Sequence, residues 1–161
     1  MNAGAPIGTF LAFLQPLVGR EIHVGPWLKI DQQRINQFAE VTGDRQWIHT
    51  DPEKAAQESP YGSTVAHGYL TLSLLPYLTE SNHPDFFQKN YPGMKYRVNY
   101  GLNRVRFPAP VKAGARIRAR TTIQDIEEVK DGVQICYLIT VEIDGATKPA
   151  CSAEFLARLY P

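Results

Sequence analysis

Cysteine is scarce: Cys136 and Cys151 are the two in 161 residues. Two thiols cannot cage a metal by themselves, and one bridge does not make a disulfide scaffold in a chain of this size. That usage points to a reducing, cytoplasmic setting. No apolar run approaches the ~20 residues needed to cross a bilayer. Net charge is nearly absent too, because 17 Lys and Arg against 16 Asp and Glu leave +1. A field that weak does not draw a protein onto nucleic acid or an anionic membrane, and no nucleic-acid motif is present. Repeats and low-complexity segments are also missing. The stretch from Met1 to Gly19 lacks a basic residue before Arg20 and contains Pro6 and Pro16. It is therefore expected to belong to the fold rather than to a signal peptide.

What is there fits one globular unit. A length of 161 residues with 43% hydrophobic and 20% charged side chains predicts a single domain over 1–161 with a real core. Charge is unevenly placed: residues 1–80 hold 5 basic and 8 acidic side chains, whereas 81–161 hold 12 and 8. Eight basic residues and no acid lie from Lys95 to Arg120.

Ile35, Phe38, Ala39 and Thr42 recur at helical spacing between a capping Asp31 and a terminating Gly43, which predicts a helix over Gln32 to Thr42. Asp51 followed by Pro52 and Glu53 predicts a second helix start, and Ser59 to Ser63 a loop. From Gly68 to Leu78 the chain is apolar on nearly every side, the pattern of a long central helix buried all round, with Pro76 kinking or ending it. After a polar, proline-containing connection from Glu80 to Gly93, four strands are expected: Tyr96 to Phe107, Arg116 to Glu127, Val133 to Ile143 and Ala150 to Leu159. Turn signals at Pro108 to Gly114, Asp131-Gly132 and Asp144-Gly145 separate them. Helices first and antiparallel strands after describe an α+β fold with a sheet wrapped around one central helix.

Two polar clusters could carry chemistry. Gly43 to Pro52 joins two helix ends and can aim Asp44 and His49 at one water molecule; neutral imidazole or carboxylate can accept its proton. The same residues would equally serve as a turn cap and an ordinary hydrogen-bonded histidine. Val65-Ala66-His67-Gly68 opens the apolar helix, where first-turn amides lack partners and a glycine lets an oxygen approach closely. Close packing at Gly68 and capping by His67 would explain it as well. No spacing of ligands suggests a metal site.

Together the clusters resemble a known family. Phe38 to Asp44, Ile48-His49, Asp51-Pro52, Ala55-Ala56 and Val65 to Gly68 resemble the hydratase motif of the MaoC-like dehydratases, the (R)-specific enoyl-CoA hydratases of the hot-dog fold. Trp27, Asp31-Gln32, Gln46 to His49, Leu70 to Leu74 and Asn99 to Phe107 are similar to the branch named after nodulation protein N. The resemblance covers residues 17–159. It implies a hot-dog homodimer that hydrates trans-2-enoyl-CoA reversibly to (3R)-3-hydroxyacyl-CoA. By the same resemblance Asp44 and His49 activate the water, the Gly68 amide polarises the thioester carbonyl, and no metal or redox cofactor is required.

The chain departs from the family pattern in places. Gln46 and Trp47 stand where Asn and Pro are usual, and Pro76 stands where a supporting serine is usual, with Ser73 one turn earlier. Gln46, His67 and Ser73 are taken as supporting residues. Arg116 and Arg118 share one strand face, as do Arg104 and Arg106 on theirs, and could meet the phosphates of coenzyme A, or simply be the solvated side of a sheet. Rival readings are a hot-dog acyl-CoA thioesterase, which shares the carbonyl site and would release thiol, and a non-catalytic acyl-thioester-binding protein.

Overall fold

The computed structural model describes residues 7–161; the first six residues of the N-terminal stretch read as part of the fold lie outside the described residues. The chain runs α1 (Ile7–Leu14), a 3-10 turn (Gln15–Leu17), β1 (Glu21–Val24), β2 (Leu28–Lys29), α2 (Gln32–Thr42), α3 (Trp47–Thr50), α4 (Pro52–Glu58), α5 (Gly68–Ser73), α6 (Leu75–Leu78), α7 (Pro84–Asn90), β3 (Tyr96–Arg106), β4 (Arg116–Val129), β5 (Gly132–Ile143) and β6 (Cys151–Tyr160). The six strands form one sheet in the order β1-β4-β5-β6-β3, with β2 also on β4, and every named pair is antiparallel. This is the expected α+β arrangement.

Alternation decides the faces of the sheet. In β4, Ile117, Ala119, Thr121 and Ile123 are buried, so the arginines between them point to the opposite face. Leu70, Leu75 and Leu78 of α5 and α6 join the core formed by Ile135, Ile139 and Val141 of β5 and by Ala153 and Ala157 of β6. The small alanines leave room for the helices to sit close to the sheet. Phe10 and Leu14 of α1 are buried in the same core.

The long central helix is not continuous. It breaks at Leu74 into α5 of six residues and α6 of four. Proline supplies no amide and its ring crowds the carbonyl of residue i−4, so Pro76 is accommodated in the first turn of a new helix. Nor is the segment buried all round: Tyr69 is 71% exposed and Tyr77 58% exposed. Short β1, β2 and α3 carry too few residues to display a period, and α7 lies inside the stretch read as a polar connection.

Candidate active site

Local signals set the first cluster. Asp31 caps α2, its Oδ1 accepting from the Arg34 amide at 2.9 Å. Gly43 ends the helix with φ 78°, a conformation that glycine adopts without strain, and its amide donates to Ala39 O at 2.9 Å. Asp44 follows directly. The single turn of α3 then carries His49, and Asp51 caps α4 by accepting from the Lys54 amide at 3.0 Å.

Tertiary contacts bring His49 and His67 to Asp44. His49 Nδ1 lies 2.7 Å from Val65 O, and since a carbonyl only accepts, Nδ1 is the donor. The lone pair of neutral His49 is thereby placed on Nε2. His67, 3% exposed, donates from Nε2 to the backbone O of Asp44 at 2.9 Å. That Nε2 is also 4.0 Å from Asp44 Oδ2. The two imidazoles stack with centroids 3.7 Å apart and planes 26° apart, and Phe38 lies 5.0 Å from His67. Gln46 donates to Asp44 Oδ1 at 3.2 Å. Burial pushes the His49 pKa down, and neighbouring His67 adds to this against the opposing pull of Val65 O and Asp44. His49 is therefore kept neutral and able to accept a proton near pH 7.

One ligand atom from each of Asp44, His49 and His67 lies within 4.8 Å of the others, a grouping the sequence spacing did not suggest. Imidazole lone pairs lie in the ring plane, so two nearly parallel stacked rings cannot both aim theirs at one ion. The arrangement suits a hydrogen-bonded water better than a metal.

Gly68 begins α5 directly after His67. A Cβ there would come within 2.9 Å of Phe107 Cδ2, so a larger residue at this position must displace the Phe107 ring. Tyr69 packs edge-on against the same ring at 6.1 Å. Two further contributors had no local signal. Gln32 donates to His49 O at 2.7 Å and accepts from the Thr64 hydroxyl, joining α2 to both clusters. Val65 fixes the His49 tautomer through its carbonyl, which no side-chain pattern reveals.

Other sequence candidates lie elsewhere. Ser73 Oγ donates to Tyr69 O at 2.7 Å and makes no bond to Asp44. Arg116 pairs with Asp144, Arg118 with Glu142 at 2.7 Å, and Arg104 with Glu154 at 3.2 Å. Arg106 donates to the carbonyl of Val105. The expected shared face of Arg104 and Arg106 is interrupted by a register shift between Asn103 and Arg106, with Arg104 at φ 49°.

Residues 13–145 match the family model described as MaoC like domain. The chain is 46% identical over 149 residues to 3-hydroxyacyl-thioester dehydratase Z of Mycobacterium tuberculosis, covering 92% of this chain and 94% of that one. It is 40% identical over 148 residues to nodulation protein N of Rhizobium meliloti, covering 91% and 89%. Among solved structures it is similar to the monoamine oxidase regulatory protein from Archaeoglobus fulgius, with TM-score 0.73, 23% identity and coverage of 88% and 89%. The architecture is the hot-dog fold. The chain belongs to the MaoC-like dehydratase family, and it is a hydro-lyase.

Proposed function

We propose that the protein catalyses reversible hydration of trans-2-enoyl-CoA to (3R)-3-hydroxyacyl-CoA. The observation that carries this reading is the Nδ1 bond from His49 to Val65 O, which leaves the Nε2 lone pair of a neutral imidazole free in a cluster where His49, His67 and Asp44 each bring one ligand atom within 4.8 Å of the others. A water between His49 and Asp44 loses its proton to the pair as its oxygen bonds to C3. Charge moves onto the thioester oxygen, where the Gly68 amide donates, and C2 then takes a proton from the same pair. Because the two groups act together, the proton belongs to the pair rather than to one residue. His67 holds the Asp44 backbone from below, and Gln46 orients the carboxylate. These steps use side chains and an amide of the chain alone, with coenzyme A thioester as substrate and no further cofactor.

The active assembly is a homodimer in this reading. Strand β3 stands at the end of the sheet order with Tyr96, Val98, Tyr100 and Leu102 exposed, alongside Tyr69 and Tyr77 on the helices. An unpaired apolar edge is a liability that a second copy removes. No helix among the described residues is long and apolar enough to cross a membrane, and free Cys136 and Cys151 suit a cytoplasmic location.

The test is crotonyl-CoA, followed by loss of the conjugated enoyl-thioester absorbance with free thiol assayed in parallel. Absorbance loss without thiol release is expected. Asp44→Asn keeps size but removes charge, and it should lower turnover by about 10²–10⁴-fold with unchanged folding. Thiol release would instead assign a thioesterase, and turnover near wild type in Asp44→Asn would remove the carboxylate from the chemistry.

A further inference from the structure

Most of the arginines in the basic run from Lys95 to Arg120 are already neutralised. Arg104, Arg116, Arg118 and Arg120 each lie against a carboxylate. Two differ. Arg106 donates to the carbonyl of Val105, whereas Arg97 is half-buried and its Nη2 donates at 3.0 Å to the uncharged hydroxyl of Ser81, with no carboxylate paired to it among the described residues. A half-buried guanidinium favours a negatively charged group, because such cations are ordinarily paired when they leave water.

Arg97 stands between two spaces. On the inner side is a narrow cavity of about 30 Å³ between α6 and the sheet, with Leu75, Pro76, Ile139 and Phe155 as apolar walls and His23, Thr79, Thr121 and Tyr137 as polar points, His23 lying 3.1 Å from the Glu80 carboxylate. Thr121 is 5% exposed, and its hydroxyl has no hydrogen-bond partner among the described residues. Tyr137 shares a 2.7 Å hydroxyl bond with Tyr91, and burial holds both phenols neutral. On the outer side Arg97 and Ser81 join Lys95, Asn82 and Asn99 around a wider basin of about 310 Å³. An apolar throat thus opens onto two cations.

We propose that this throat receives the far end of the acyl chain and selects chains that end in a carboxylate, so that the substrate class is the ω-carboxylated enoyl thioester. The inference rests on the reading of Asp44 and His49 as the hydration site. The order of the two short helices, with α6 following α5 after the break at Leu74, gives it direction. Gly68 starts α5 and Leu75 and Pro76 start α6, so the carbonyl-binding amide and the cavity wall are separated by about 10 Å of helical rise. A methylene chain can lie against that apolar wall at no polar loss. The pantetheine arm cannot, because its two amides would be buried without partners. What emerges at Arg97 is therefore the tail of the acyl group and not the coenzyme, and the group that completes a guanidinium beside a lysine and a hydroxyl is a carboxylate.

The experiment compares kcat/KM for crotonyl-CoA, trans-2-octenoyl-CoA, trans-2-decenoyl-CoA and the ω-carboxylated counterparts of the last two. Wild-type protein should favour the carboxylated chain over its unsubstituted equivalent by roughly tenfold or more, the size of one charge-assisted hydrogen bond. Arg97→Met should erase that preference, and Arg97→Lys should keep part of it, which a merely structural role would not do. Calorimetry supplies a readout independent of turnover: octanedioate should bind wild type more tightly than octanoate, and Arg97→Met should level them. Equal handling of the two chain types by wild type overturns the proposal, as does a preference that survives Arg97→Met. An equal weakening of every thioester by Arg97→Met, crotonyl-CoA included and with no advantage of the carboxylated chain, assigns Arg97 to the coenzyme and overturns it too. Absence of crotonyl-CoA hydration would instead remove the hydration reading, leaving the calorimetric comparison to judge the cavity.

Discussion

His49 owes its state to two things outside its own neighbourhood in sequence, burial and the Val65 carbonyl. Its folded pKa lies below the ordinary value near 6.5, so the unfolded chain binds more protons than the folded one between the two values. Stability therefore rises with pH through that window and falls as pH drops through 6.5 toward the lower folded value. Urea unfolding at pH 7.5 and pH 5.5 should show a loss on acidification that shrinks in His49→Gln. The acid limb of kcat/KM should lie below 6.5 for the same reason; a limb above it would mean that His49 is stabilised in its charged form. Gly68 is constrained by contact rather than by backbone angle, since an added methyl meets Phe107 at 2.9 Å. Gly68→Ala is expected to destabilise by about 1–3 kcal/mol and to lower turnover as the amide shifts. Phe107→Ala in the same chain should recover stability, whereas no recovery would show that the methyl is tolerated by the ring and harmful elsewhere.

Elements with strong local punctuation were legible from end to end, and α2 is the clearest case. Asp31 supplies the cap and Gly43 the left-handed exit, each acting within four residues, so the boundaries Gln32–Thr42 follow from neighbours along the chain. Asp31→Ala should lower the urea midpoint by the equivalent of about 0.5–2 kcal/mol, and its failure to do so would mean that Gln32 and packing alone hold the helix. The same rules misjudged the apolar run after Gly68. Its composition says buried but not by what, and Tyr69 and Tyr77 keep one face in solvent within a single chain. Pro76 is expected to kink or end the helix, and its missing amide does divide the run: the break falls at Leu74, and α6 begins afresh at Leu75. Alternation in β4 puts Arg116 and Arg118 on the face opposite the core. Its function was not legible, because Asp144, Glu142 and Glu21 reach it from other strands and from loop positions far along the chain.

The proposed homodimer is argued from what a single chain leaves uncovered among the described residues, an open β3 edge and exposed aromatic residues on both sheet and helices. Light scattering should give twice the chain mass of 18.1 kDa, and Tyr100→Lys should shift it toward one copy; a wild-type monomer at assay concentration would rule out the proposed dimer. Sequence alone determined the α+β order, the four long antiparallel strands and the caps around Asp44. All of these depend on hydrogen-bond chemistry and periodicity within a few residues. Only the tertiary structure decided that His67, 23 positions from Asp44, clamps its backbone, and that a carbonyl 16 positions from His49 fixes the basic nitrogen. It alone showed that, among the described residues, Arg116 and Arg118 lie against carboxylates while Arg97 does not. Contacts across such separations are chosen by how the core packs, and a charge reads the same in sequence whether its partner is a carboxylate or a substrate.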